Sequence, residues 1–399
     1  MLSGTATQKI GITGRFTAST LPEPILDKIG RGLTKLGPDG STEPDLASSW
    51  ETPDKGKSWV FHLREGVNWQ DGKAVISSNI SYPFSDVVQE RPDAKTIVFK
   101  LQNPYSAFPS VVGKPVFKSG LLGTGEWEVE NLSLAGSYVD ELILQKKDGK
   151  IIYRFYPTEE QTKLAFQLGQ IDAIEGIFDA APFTSWKKAK ISENVNTGEY
   201  VAVFFNTQDE ILTDKTMRQG LSYAINKESL GSNRATGPIS VDSWAFNSQV
   251  KPYGYDFDKA KGIISDYKKN AKIDQLVINL TAPPILLPQA ESIVRDWQAA
   301  GLTVNLQVMS SIPSDYQALL AVFDMPEDPD QYSAWHSTQT ATNITKYSNP
   351  RIDKLLEDGR TEIDMLSRKQ TYFDFQRFLV EDSPAAFLFY PTTYTVKRK

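Results

Sequence analysis

The residues best equipped for chemistry lie at 321–336, AVFDMPEDPDQYSAWH. Asp324, Glu327, Asp328 and Asp330 stand there among Phe323, Tyr332 and Trp335, in a run stiffened by Pro326 and Pro329. Carboxylates beside aromatic walls suit a cationic amine. An ion pair that loses its water when a site closes discriminates well, even where its net stabilisation is modest. The same residues also read as an acidic surface loop capped by prolines.

Other candidates are thinner. Trp244 and Phe246 sit in the loop PISVDSWAF, where aromatics serve either as ligand walls or as anchors beneath the loop. Trp335 has the same two readings. Arg15 offers a guanidinium to a ligand carboxylate or to a surface salt bridge. His62 and His336 are the only histidines. One imidazole near carboxylates is a poor metal site, so no metal and no cofactor is expected. Gly220-Leu221-Ser222-Tyr223-Ala224 falls one residue short of a nucleophile elbow and lies within a helical pattern, so a serine nucleophile is not expected. A carboxylate pair acting on glycosides stays open, although nothing marks one.

Composition narrows the field further. The net charge of −6 and the absence of a basic stripe argue against a nucleic-acid surface. There are no cysteines, which excludes disulfides and thiolate chemistry. No apolar run approaches the length of a membrane helix. Met1-Leu2-Ser3-Gly4 carries no signal-peptide pattern and reads as the start of a mature or trimmed chain. At 399 residues, two or three domains are expected.

The elements that must position these residues are readable in stretches. A Trp-rich unit at 44–72 holds a short helical piece at 45–50, then a strand in which Trp59, Phe61 and Leu63 alternate with polar neighbours. Strands are expected at 9–13, 96–101 and 200–206, and a hairpin turns at Asp148-Gly149. Thr158 with Gln161, and Ser367 with Gln370, read as helix capping boxes. Alternating residues at 276–280 and 302–308 flank a helix at 289–300, which implies a parallel strand–helix–strand crossover. Helices follow Asn349-Pro350 and precede Pro384, and a strand at 386–396 closes the chain.

Several phrases together carry a resemblance. P-x-LA-x-SW and D-x-GK-x-W-x-F-x-LR-x-GV-x-W-x-DG at 44–72, GTGEW at 123–127, GQIDA at 169–173 and FFN…D-x-x-MRQGLSYAINKESL at 204–230 occur in order along the chain. The sequence resembles the extracellular solute-binding proteins of ABC importers, the family of oligopeptide-, dipeptide- and nickel-binding proteins.

The resemblance implies an α/β, two-lobed periplasmic-binding-protein-like fold (type II, cluster C-like). Lobe one would be 1–206 with a reduced extra subdomain at about 45–118, lobe two 207–387, and 388–399 the return to lobe one. The hinge would fall at Phe205, Asn206 and Thr207. It also implies that Asp324 matches the loop Asp that pairs with a peptide ammonium, with Asp328 as backup. Val322 and Phe323 would belong to the strand that bonds peptide backbone. Arg15 and Phe16 would meet the ligand from the other lobe, with Trp244, Phe246 and Trp335 as walls.

The expected function is extracytoplasmic capture of a solute, most readily a short peptide, between the lobes. Delivery would be to an ABC permease by a monomer that is not an enzyme. Nucleic acid is no partner, and the membrane enters only through a lipid anchor outside this chain. An oligosaccharide-binding protein and an extracellular glycoside-acting enzyme are the alternatives.

Overall fold

A computed structural model of the chain describes residues 6–311 and 313–399. The opening Met1-Leu2-Ser3-Gly4 lies outside them. The chain divides into two compact units. The first comprises the residues up to Gly37, Thr42–Val195 and Thr392–Lys399; the second comprises Pro38–Ser41 and Asn196–Pro391.

In the first unit a seven-stranded sheet runs Ala189–Val195, Thr392–Arg398, Ala173–Ile177, Ala6–Thr13, Gly149–Tyr156, Tyr138–Lys146 and Glu128–Ala135. Ala6–Thr13 is parallel to both of its neighbours, and the hairpin expected at Asp148-Gly149 forms. Thr158 caps the helix Glu159–Gln167, its hydroxyl accepting from Gln161 N at 3.3 Å.

A second, four-stranded sheet runs Ala47–Glu51, Ser58–Leu63, Thr96–Lys100 and Val88–Asp93. Trp59, Phe61 and Leu63 all face its core, with Phe99, Phe108 and Trp69. The tryptophans of the 44–72 unit are thus packing anchors. The helical piece expected at 45–50 is a strand instead. Trp50 lies opposite Phe61 in the ladder with ring centroids 6.0 Å apart, a cross-strand aromatic pair that favours the strand.

In the second unit a five-stranded sheet runs Thr303–Val308, Val277–Ala282, Ala318–Asp324, Glu199–Phe205 and Ala385–Phe389. The crossover through helix Leu287–Ala299 joins parallel strands, as its alternation requires. Trp297 on that helix is fully buried and donates from Nε1 to Leu221 O at 3.0 Å. The helix Met365–Asp382 starts a turn earlier than its expected Ser367 box. Asp364 is the cap, accepting from Ser367 N at 2.9 Å, because a carboxylate in that position reaches the free amides of the first turn.

The residues expected to form a hinge do not lie where the chain changes unit. Phe205, Asn206 and Thr207 lie inside the second unit, pinned by main-chain bonds to Pro384, Gln317 and Thr345. The whole strand Glu199–Phe205 is laddered on both sides by second-unit strands, so it cannot be a crossing point. Apart from the short Pro38–Ser41 segment, the chain changes unit at Val195–Asn196 and again at Pro391–Thr392, where Asn196 N donates to Pro391 O at 2.8 Å. The strand expected at 386–396 is accordingly two, Ala385–Phe389 and Thr392–Arg398, one in each unit's sheet.

Helix Lys215–Ala224 offers a direct check on local stability. Asp214 accepts from Thr216 N at 2.6 Å and Met217 N at 3.1 Å. Asp214→Ala is expected to lower stability by about 1 kcal/mol, read as a shift of the thermal midpoint.

Candidate functional site

The strand Ala318–Asp324 is built unevenly. Along its whole length it pairs antiparallel with Glu199–Phe205. On its other side, Val277–Ala282 pairs only at Leu280–Ala318 and Thr281–Leu319. Met325 N bonds Gly198 O, and Asn206 N bonds Gln317 O, so the odd-numbered residues turn their main-chain groups toward Glu199–Phe205. By alternation, Val322 and Asp324 turn theirs the other way, past the end of the Val277–Ala282 ladder. Burial follows the same change. Ala318 to Ala321 are buried, whereas Val322 is 42% exposed and Asp324 is exposed.

Asp324 stands opposite Glu199. That pair does not exchange main-chain bonds, which is the arrangement that brings facing side chains closest. Partial burial raises the Glu199 carboxyl above its ordinary range, and the like charge of Asp324 raises it further. Phe323 points to the opposite face and stacks on buried Tyr200, with centroids 5.3 Å apart.

The loop that follows is held by a buried ion pair. Arg368 Nη1 and Nη2 reach Asp328 Oδ2 and Oδ1 at 2.8 and 2.5 Å, and both side chains are buried. Burial alone would pull the guanidinium down, but Asp328 outweighs it and holds Arg368 above its usual value. Asp330 is also buried, which pushes its carboxyl up although Arg360 lies 3.4 Å away. Asp328 is therefore already occupied by Arg368.

Arg368 also faces Trp244, 5.4 Å from its ring centroid, and Trp244 meets Tyr372 edge-on at 6.2 Å. The Trp244 loop is tied in a second way, since Thr197 Oγ1 lies 2.5 Å from Asp242 Oδ2. Thr197 directly precedes the Gly198–Glu199 segment that pairs with Met325 and Asp324. The structure therefore brings Val322, Phe323, Asp324 and the half-buried Trp244 and Phe246 loop to one end of the second unit's sheet.

Other expected residues fall elsewhere. Trp335 is 1% exposed, near Phe204 and Phe387, and belongs to the core. His336 is buried and stacked on Tyr332, with Nδ1 2.8 Å from Thr338 Oγ1 and Nε2 3.4 Å from Glu357 Oε1. Among the described residues, no group of three or more His, Asp or Glu side chains converges on a metal position. Arg15 and Phe16 belong to the first unit. Arg15 is exposed with its guanidinium 5.6 Å from the Tyr138 ring, and Phe16 meets Phe155 edge-on.

A family model described as bacterial extracellular solute-binding proteins, family 5, middle, matches residues 41–141 and 144–343. The chain belongs to this family.

The dipeptide-binding protein of Escherichia coli K12 is 23% identical to this solute-binding protein, over 90% of this chain and 83% of that one. The oligopeptide-binding protein AppA of Bacillus subtilis is 24% identical over 91% and 80%. Its crystal structure with a nonapeptide superposes with a TM-score of 0.73 at 18% identity, covering 99% of this chain and 94% of that one. HbpA2 from Haemophilus parasuis gives a TM-score of 0.80 at 16% identity, covering 98% and 96%. The fold is thus that of the periplasmic binding proteins. No described helix is long and apolar enough to cross a membrane.

Two features of the solute-binding protein's site escaped sequence reasoning. Glu199 lies 125 positions before Asp324 and meets it only through strand register. Arg368 sits on a helix read from its Ser367–Gln370 box, its apolar stripe and the Pro384 stop. Its place four residues before Tyr372, on the face of the apolar stripe, was the available signal.

Proposed function

We infer that this chain captures short peptides outside the cytoplasm and passes them, as a monomer, to an ABC permease, without covalent chemistry of its own. The observation that carries this reading is the stretch at Val322 and Asp324 that runs past the Val277–Ala282 ladder, beside two facing carboxylates. A peptide laid along that stretch would find main-chain donors and acceptors in strand register. Its terminal ammonium would then lie against Asp324, with Glu199 adding negative charge. The names of the dipeptide- and oligopeptide-binding relatives support the same class of solute.

A thermal-shift screen of di- to pentapeptides, oligosaccharides and Ni²⁺ tests the class. A peptide at 100 times its Kd adds about 2.7 kcal/mol of stability. Stabilisation by sugars or nickel alone would overturn the peptide reading. In the same assay, Asp324→Asn is expected to weaken peptide binding by about 2–3 kcal/mol, roughly 30- to 150-fold. The ligand-free melting temperature should not fall, because Asp324 is exposed and faces a like charge. N-acetylated peptides, which lack the ammonium, should bind both forms alike.

A further inference from the structure

The first unit contains a cavity of about 670 Å³, within the range of small-molecule sites. Its walls come from Ala18, Leu121, Leu122, Val129 and Leu132. Leu122 packs against the core of the four-stranded sheet, while Leu121, Val129 and Leu132 pack against that of the seven-stranded sheet. The cavity therefore lies along the seam of two cores. Leu121, Leu122, Val129 and Leu132 are only half-buried and Ala18 is exposed, so covering them would remove apolar surface from water.

Most of the polar groups around it are already satisfied. Gln70 Nε2 donates to Ile29 O, Gly125 O and Trp127 O, and its Oε1 accepts from Gly123 N. Asp71 pairs with Lys118 at 2.6 Å. Ser19 Oγ lies 3.0 Å from Thr17 Oγ1. Glu128 stands at the rim, where Lys146, Lys147 and Lys150 line the adjoining polar hollow. An anionic guest would meet the Glu128 carboxylate in the wall, and a cationic one the three lysines beside it. A sugar would leave most of its hydroxyls without partners, at a desolvation cost.

We propose that this cavity is a second binding site, for an uncharged and largely hydrocarbon small molecule. It is separate from the peptide site, since every lining residue belongs to the first unit and Val322, Asp324 and Glu199 to the second. Its occupancy does not depend on the peptide reading.

The test is calorimetric titration of the full chain with hexan-1-ol, hexanoate and hexylammonium, three guests of nearly equal size. The alcohol should bind saturably at one site per chain, and both ions at least ~10-fold more weakly. In the alcohol complex, intermolecular NOEs should reach the methyls of Leu121, Leu122, Val129 and Leu132, which locates the site without any substitution. Leu132→Trp, whose indole intrudes on the apolar wall, should weaken alcohol binding and leave stabilisation by peptides unchanged. Absence of saturable alcohol binding, equal binding of either ion, or NOEs to other methyls would overturn the proposal. Loss of peptide stabilisation in a folded Leu132→Trp protein would overturn the separation of the two sites. Failure of all peptides to stabilise the protein, with alcohol bound at these methyls, would defeat the peptide reading alone.

Discussion

Arg368→Met is expected to destabilise the second unit by about 3–5 kcal/mol, the usual consequence of leaving one buried charge without its partner. Arg368 is bonded on every side. Besides the two bonds to Asp328, its Nε donates to Gly359 O at 2.8 Å and its Nη2 lies 3.3 Å from the Tyr372 hydroxyl. Removing the guanidinium leaves the Asp328 carboxylate enclosed with no cation. Asp328→Leu should cost a comparable amount by stranding the guanidinium. The double variant Asp328→Leu with Arg368→Met should recover much of the loss, because two apolar groups of similar bulk leave no charge uncompensated. Chemical denaturation of the wild-type protein and the three variants, followed by circular dichroism, reads the cycle. Strictly additive losses would mean that the pair does not act as a unit. Peptide affinity should fall in Arg368→Met as well, since Arg368 is what sets the Trp244 ring against the loop that begins at Asp324.

The second large effect is a dependence on pH. Lys227 is 2% exposed, and its ammonium donates to the carbonyls of Ser222 and Tyr253, with that of Ile225 at 3.5 Å. Burial is the main reason its pKa falls from 10.5 to about 7; Arg234 pushes in the same direction and Asp296 opposes it. Below about pH 7 the folded and unfolded chains both carry this proton, and the folded state bears the full cost of the enclosed charge. Between about pH 7 and 10.5 the unfolded chain holds the proton and the folded chain does not. Stability from this group therefore rises with pH, by on the order of 1.4 kcal/mol per unit at the steepest and several kcal/mol across the window. Lys227→Met should flatten that rise, and the comparison between the two proteins cancels the titration of every other group. Parallel stability profiles from pH 6 to 10 would show that the lysine titrates at its ordinary value in the fold.

Much of the fold was legible because its signals are local. The alternation at Trp59, Phe61 and Leu63, the Thr158 box and the turn at Asp148-Gly149 each lie within one element, and each formed. The errors arose where a distant partner decides. Trp50 is a strand residue because Phe61 is across from it, and Leu46–Trp50 spacing carries no trace of that. Phe205 sits deep in the second unit because the strands Ala318–Asp324 and Ala385–Phe389, more than a hundred residues on, flank its own. The site shows the same division. Asp324 and the Trp244 loop stood out by composition and by resemblance. The loss of Asp328 to Arg368, the enclosure of Trp335 and the approach of Glu199 to Asp324 follow from packing and register, which one sequence does not encode residue by residue.

The strand Thr392–Arg398 is laddered on both sides, by Ala173–Ile177 and by Ala189–Val195. It is also made after all of residues 196–391. During synthesis the first unit's sheet therefore waits, in two pieces, for a strand that arrives only after the second unit has been made. Until then it presents open strand edges, the kind of surface that other chains and chaperones engage. Order of synthesis and order of completion are thus reversed in this protein: the unit that is started first is finished last.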